Sequence, residues 1–418
     1  MVIRLVIGIH IKRLELDLLK VNAQKGTLAR FRWSILLAAG LSLALSLPTL
    51  AAPKPDAKPA VIAYDYHSVV RSSDGSIWYW GGVADVVKGK FTFRDNTPER
   101  MTNLKDVVDI QAFRNDHIIL KKDGTVWEWK SELKVLSETP YEAVTEFLEP
   151  KRIEELSNIV KIAGGEVYSA IDKDGSVWVW HPLVFYNGVH KLENIIDAKD
   201  ISWDGNAGVN ILRKDGTVWK WTAYGEDLKF VLADKQFRTH KFTENNSYAV
   251  RNIEMNPSYS AVKIEGLKDI AALSKGSGHH NFAVKKDGTV WGWGKNFRGN
   301  LGLPEETEIV DRPVKIAGLS DVSSIATNRL STLILKKDGS LMVLGNNIGD
   351  YPIEFKKGHE LRRIVGLEKV TSMALGDQHA VATTEDGNLW AWGKNNAGQL
   401  GDASFKDSLT PILVKKLQ

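Results

Sequence analysis

Four histidines recur near one point of a repeating sequence. His67, His280 and His379 each stand seven residues before an Asp-Gly pair, and His117 stands six before one. Imidazoles are common metal ligands, but a metal site needs several of them within about 2.1 Å of one ion. Residues that occur once per repeat lie in different structural units and do not converge in that way. They read as structural, each imidazole satisfying backbone groups inside its own unit. The Asp-Gly aspartates (Asp74, Asp123, Asp174, Asp215, Asp287, Asp338, Asp386) lack the closely spaced acids of a calcium loop and read as turn residues. The loops NFRGNLG (296–302) and NNAGQLG (395–401) are glycine-rich but lack the Gly-Lys-Ser/Thr ending of a phosphate loop. The chain has no cysteine, which excludes thiolate chemistry. It also has no G-x-S-x-G and no H-E-x-x-H motif. No catalytic residue, cofactor or metal ligand is assigned.

The best binding candidates lie in an insertion at about 222–263. There Phe237, Phe242, Tyr248 and Tyr259 accompany Arg238, His240 and Arg251. An aromatic and basic mixture of this kind suits a binding loop. The same residues would also serve a surface hairpin that packs its own aromatics. A second irregular stretch, 131–156, is acidic and could carry a short helix.

The elements that position these residues are set by the repeat. Asp-Gly followed by an aromatic-rich strand recurs seven times, from SSDGSIWYW (72–80) to TEDGNLWAW (384–392), with the aspartates 49, 51, 41, 72, 51 and 48 residues apart. Asp-Gly between apolar runs predicts a two-residue type I′ hairpin turn, with positive φ at both residues. Of 14 tryptophans, 12 sit in W-x-W pairs. Residues two apart on a strand share a face, so each pair makes an apolar stripe. The residue between them varies (Gly292, Ala391, Val179, Glu128, Lys220), which predicts an opposite face that is tight in some repeats and partly wet in others. An apolar stretch such as LKDVVDIQA (104–112) precedes each hairpin, and in the clearest copies a Pro-led strand such as RPVKIAG (312–318) follows it. Four short strands in about 50 residues make one propeller blade. The residues before the first hairpin and after the last together amount to one repeat. They predict a ring closed by pairing of the N- and C-terminal segments, with TPILVKKL (410–417) as the outer strand of the blade that holds Trp78 and Trp80.

Residues 34–47, SILLAAGLSLALSL, follow Arg30 and Arg32 and precede Thr49-Leu50-Ala51. This is the layout of a secretory signal peptide, too short for the roughly 20 residues of a membrane-spanning helix. The expected division is 1–51 for the N-terminal extension and signal, 52–60 for a Pro-rich linker and 61–418 for the propeller. The expected location is secreted or periplasmic, with no membrane span after cleavage. Beyond residue 51 the chain carries 48 Lys/Arg and 49 Asp/Glu, a net charge of −1. That balance offers no basic footprint for nucleic acid.

WGWGKNFRGNLG (291–302) and WAWGKNNAGQLG (390–401) resemble the W-G-x-N-x-x-G-Q-L-G hallmark of RCC1-like (regulator of chromosome condensation) repeats, here of a bacterial secreted type. LGDQHAVATTEDGNLWAWG (375–393) resembles the family stretch that runs from Gly-x-x-His through the hairpin. The resemblance covers nearly all of 61–418. It is strong in the fifth and seventh copies and weaker in the second to fourth, where WEWKSE, WVWHPL and WKWTAY lose the Gly and Asn. It implies an all-β, seven-bladed β-propeller with four strands per blade. The expected function is a non-enzymatic, extracytoplasmic binding propeller that presents loops to an extracellular protein or a cell-surface glycan, acting as a monomer. The alternatives are a secreted or periplasmic enzyme acting on polysaccharide, and an inhibitor of a secreted enzyme. Nucleotide exchange on a small GTPase, the activity of the family's nuclear founder, is set aside because of the leader segment and the near-neutral charge.

Overall fold

The computed structural model describes residues 60–414, except 65–66, 73, 83, 88–89, 94–95, 114–115, 139–140, 181–187, 206, 224–258, 347 and 350–358. Seven antiparallel four-stranded units follow one another along it, and they are numbered here as blades. Blade 1 spans 60–101, blade 2 107–152, blade 3 159–191, blade 4 198–263, blade 5 270–315, blade 6 322–363 and blade 7 370–413. Within each blade the chain runs from the inner strand to the outer one. The inner strands are Ala60–Tyr64, Val107–Phe113, Ile159–Ala163, Ala198–Trp203, Ile270–Leu273, Val322–Thr327 and Val370–Leu375. Consecutive inner strands touch, and the last touches the first, so the ring is closed around a central channel.

The Asp-Gly sites are hairpins, but not of the two-residue kind. Gly124 N–H donates to Lys121 O at 2.9 Å, and Lys121 N–H donates to Thr125 O at 3.0 Å. The loop is therefore three residues, Lys122-Asp123-Gly124. It is a type I turn closed by a left-handed glycine. Only the glycine has positive φ (+80° at Gly124), and Asp123 stays outside the left-handed region. The aspartate is retained for its oxygen. Asp123 Oδ1 accepts from Thr125 N–H at 3.0 Å and from Thr125 Oγ1 at 2.6 Å, and Thr125 Oγ1 accepts from Trp127 Nε1 at 2.9 Å. The same relay joins Asp74, Ser76 and Trp78, and again Asp215, Thr217 and Trp219. These donors hold the three carboxyl groups below their ordinary range.

The first tryptophan of each pair is half-buried and the second buried; Trp80, Trp129 and Trp392 are at most 1% exposed. Seven apolar clusters result, and every one spans the seam between two adjacent blades. The W-x-W stripe faces the preceding blade, while the middle residue faces the following one. At the seam between blades 1 and 2, Tyr79 meets Trp129 edge-on at 6.0 Å. At that between blades 6 and 7, Val343 joins Trp392. The variable middle position is tight where a Cβ on Gly292 would stand 3.0 Å from Leu301, and wetter where Glu128 and Lys220 are half-buried.

Ring closure differs from the expectation. Ser408–Leu413 pairs with Leu389–Gly393 and completes blade 7, while blade 1 takes its outer strand, Glu99–Met101, from its own segment. No blade is shared between the two ends. The seam between blades 7 and 1 closes like the others, by packing Val61, Val70 and Trp80 against Val381, Ala391, Leu400 and Val414. Trp80 Nε1 also donates to Gln399 O at 2.9 Å. The stretch 131–156 holds no helix; Val126–Glu138 and Tyr141–Phe147 pair as a long hairpin beyond the blade. Apolar residues stand two apart in it, Leu133 with Val135 and Tyr141 with Ala143, which is the period of a strand.

Two tests follow from the turns and the seams. Gly288 and Gly339 share a positive φ (+83° and +81°), but a Cβ on Gly288 meets open space, whereas one on Gly339 meets Lys369 Cα of the next blade at 2.7 Å. Gly288→Ala is expected to cost about 1–2 kcal/mol from the left-handed backbone alone. Gly339→Ala adds roughly 1–3 kcal/mol of overpacking. Equal denaturation midpoints for the two variants would disprove the contribution of the turn to the seam. Trp80→Ala is expected to cost about 3–5 kcal/mol and to open new protease sites in the 395–405 loop. Unchanged protection there would mean that Trp80 does not hold the ends together.

Candidate interaction site at the channel mouth

The inner strands share an irregularity that aims side chains along the channel. In six of the seven blades their pairing shifts by one residue, just before Asp109, Lys161, Asp200, Ala272, Ser324 and Ser372. A bulge of this kind re-aims the residue that follows it. Blades 2, 3 and 4 thus carry Asp109, Lys161 and Asp200 at one level, and Lys161 is ion-paired with Asp200. Burial raises the Asp109 carboxyl above its ordinary value. Lys275, Gln111, the Ile110 N–H and Lys161 partly offset that rise.

At one end of the channel, the loops between inner and second strands pack on each other through glycines. A side chain on Gly165 would collide with the Trp203 ring, one on Gly205 with Gly278, and one on Gly276 with Thr327. Asn328 Nδ2 donates to Gly376 O at 2.7 Å and to Asp377 O at 3.1 Å, and Ser277 Oγ donates to Asp377 at 3.3 Å. Tyr64 and Trp203 pack on Phe113, each at 5.9 Å. The result is a collar of mutually braced loops with Lys275, Arg329 and Asp377 exposed on it.

The histidines lie just beneath this collar and lock blades together. His379 Nε2 is 2.8 Å from Ser68 Oγ of blade 1, and that hydroxyl donates to Gln399 O at 3.1 Å. Because the hydroxyl proton is used, the imidazole must be the donor. Blades 5 and 6 repeat the arrangement. His280 Nε2 donates to Thr332 Oγ1 at 2.6 Å, Thr332 donates to Asn300 O at 2.8 Å, and Asn300 Nδ2 faces His280 Nδ1 at 3.1 Å. His67 and His117 join blades 1 and 2, Nε2 to Nε2, at 3.1 Å. The bonds therefore cross between blades, contrary to the expectation of bonds inside one blade. His117 can meet His67 because it sits one register position further along its strand, opposite Trp129 where His67 is opposite Gly81. The sequence offset of six rather than seven was the available signal. Among the described residues no group of three or more His, Asp or Glu is placed to hold a metal.

Of the expected binding residues, Phe237, Arg238, His240, Phe242, Tyr248 and Arg251 lie outside the described residues. Tyr259 is described and is half-buried; it stacks on His190 at 4.4 Å and lies parallel to Trp221 at 6.4 Å. Its ring fills the seam between blades 3 and 4. The Asn of each hallmark loop pins that loop: Asn296 Oδ1 accepts from Leu301 N–H at 3.0 Å, and Asn395 Oδ1 from Leu400 N–H at 2.9 Å.

The fold and the loops define a closed seven-bladed β-propeller with an asymmetric, loop-braced channel mouth. Sequence models of the regulator of chromosome condensation (RCC1) repeat match residues 268–300 and 370–399, and a second pair of matches covers 287–334 and 386–418. Residues 268–334 and 370–418 thus match the RCC1 repeat, within a chain that folds as a seven-bladed β-propeller. The yeast guanine nucleotide exchange factor SRM1 is 24% identical over 85% of this chain and 73% of its own length. Human HERC6, a probable E3 ubiquitin-protein ligase, is 28% identical over 38% of this chain, and the match covers 17% of HERC6. The Arabidopsis thaliana mitochondrial protein RUG3 is 31% identical over 34% of each chain. The chain thus spans well under two thirds of the length of most of these relatives. Two solved structures share the fold at low identity. Saccharomyces cerevisiae Prp20p has a TM-score of 0.59 at 19% identity and covers 85% of this chain and 88% of its own. Human WBSCR16 has a TM-score of 0.56 at 18% identity and covers 77% and 85%.

These relatives overturn the expected location. They are eukaryotic RCC1-like proteins of nucleus, cytosol and mitochondrion, and the secreted or periplasmic assignment is corrected accordingly. The apolar run at 34–47 that prompted it lies outside the described residues. The argument from location against nucleotide exchange falls with it.

The His280 lock has a measurable pH signature. Burial, then the neighbouring His279, lowers its pKa from 6.5 to about 3. Protonation at Nδ1 would also turn that atom from acceptor to donor against Asn300. Between these two values the unfolded chain binds a proton that the folded chain does not. The stabilisation is therefore complete above pH 6.5 and declines as the pH falls toward 3. His280→Gln should be less stable at neutral pH but show a flatter fall in Tm from pH 6.5 to 4. Parallel curves for the two proteins would remove His280 from the pH response.

Proposed function

We propose that this propeller is a non-enzymatic binding module that presents the collar loops of its channel mouth to a protein partner. The observation that carries this reading is the collar itself. Loops from blades 3 to 7 are braced against one another by glycine contacts and by Asn328, and they hold charged side chains outward. A surface ordered before binding loses less entropy when a partner docks. The relatives support the same direction: Prp20p is described by its binding to Gsp1p and histones, and another structure shows it with Kap60 bound.

Hydrogen–deuterium exchange on the chain with a partner captured from native cell extract tests the reading. Protection is expected in 204–208, 274–279, 328–330 and 376–378. Protection confined to the Asp-Gly turns at the opposite end, or turnover of a polymer by the purified chain, would overturn it.

A further inference from the structure

The repeats provide an internal comparison at the mouth. In blade 7, Lys394 follows Gly393 at the end of the third strand and is ion-paired with Asp407 at 2.7 Å. Asp407 also accepts from Asn395 N–H at 2.8 Å, so its carboxylate belongs to the hallmark loop. Blade 5 has the same loop and the same lysine. Lys295 follows Gly294, and its N–H donates to His279 O as that of Lys394 does to Gln378 O, both at 2.9 Å. Here the Asn296 N–H is taken by a backbone oxygen, Glu308 O at 2.8 Å, and Lys295 has no carboxylate partner among the described residues. Its nearest neighbour of note is the Phe297 ring, 5.8 Å away and 43% exposed.

Other basic groups stand near this spot. Arg329 is exposed on the adjacent loop of blade 6 and makes no ion pair among the described residues. His279, between the two, feels both, for Lys295 and Arg329 add to burial in lowering its pKa, against smaller opposing effects of Asp204 and the Gly205 backbone. Lys275 stands exposed on the same loop as His279. The nearby acid Asp204 is already paired with Lys220 at 2.9 Å. At the opposite end of the propeller some of the turn cations are paired: Lys122 with Asp106 at 3.9 Å, Arg213 with Asp197 at 2.5 Å and Lys369 with Glu385 at 3.2 Å.

We infer that the blade 5 and blade 6 sector of the mouth takes an acidic peptide segment, with one of its carboxylates paired with Lys295 as Asp407 pairs with Lys394, a second facing Arg329, and Phe297 as the apolar flank. The inference rests on the binding-module reading and names the chemistry of its partner. A carboxylate is favoured over a nucleic acid because the propeller lacks an overall basic charge, with 48 basic and 49 acidic residues beyond residue 51.

The test is fluorescence anisotropy with a labelled decaglutamate peptide on the full chain at low and physiological salt. The intact chain should bind it, more weakly as salt rises. Lys295→Glu combined with Arg329→Glu should weaken binding about tenfold, equivalent to ~1.4 kcal/mol. Lys286→Glu combined with Lys337→Glu, on the opposite face, should change it less than about twofold. Circular dichroism and Tm of each variant check the fold, and Lys295→Gln supplies a milder second variant if the double reversal does not fold. Three outcomes would overturn the inference: binding no tighter than that of a glycine–serine peptide of equal length, equal losses on the two faces, or tighter binding of a single-stranded oligonucleotide at the same residues. If the exchange protection of a native partner still maps to the collar in any of these cases, the binding module stands and only its acidic-peptide specificity falls.

Discussion

Every blade of this propeller is apolar on both faces, and only its neighbours can cover it. The W-x-W stripe points backward and the intervening residue points forward, so no sheet can bury its own surface. All seven apolar clusters accordingly bridge two blades, and none is confined to one. An open row of such blades would leave two uncovered faces, which closure of blade 7 on blade 1 removes. Stability is collective for this reason, and the seam where the chain ends meet has the same anatomy as the rest.

Polar groups decide the register of that packing. Apolar faces slide over one another at little cost, whereas a buried imidazole with one donor and one acceptor does not. His280 between Thr332 and Asn300, and His379 against Ser68, fix the height of one blade on the next. A buried polar group left unpaired costs roughly 1–3 kcal/mol, so a misplaced blade is penalised twice, once in each partner. The Asp–Thr–Trp relay performs a related task at the hairpin end, where the turn aspartate orients the indole through a hydroxyl.

The same architecture separates scaffold from specificity. Glycines and asparagines brace the collar and leave little room for change, while Lys275, Arg329 and Asp377 are exposed on it. In a ring built from repeats, a difference between two matching loops stands out. Lys295, which has no carboxylate partner among the described residues where Lys394 has Asp407, is such a difference.

Much of the fold was legible in the residues themselves. Asp-Gly, W-x-W and the hallmark loops are local signals, and their number and spacing specify seven hairpins, hence seven four-stranded blades. Local signals also contain the outer strands of blades 5 and 7. What they do not contain is the partner of each group. The turn was read as two residues because Asp-Gly suits both loop lengths, and only the bonds from Lys121 to Gly124 and Thr125 distinguish them. The terminal strand was assigned to blade 1 because counting residues cannot tell a shared blade from two complete ones. The collar, the paired His67 and His117, and the unbalanced Lys295 join residues tens to hundreds of positions apart. Sequence alone determined which strands form, because strand and turn chemistry act over a few neighbouring residues. The tertiary structure alone decided which blades touch, which imidazoles pair and which cations find an acid, because those depend on distances that exist only once the ring has closed.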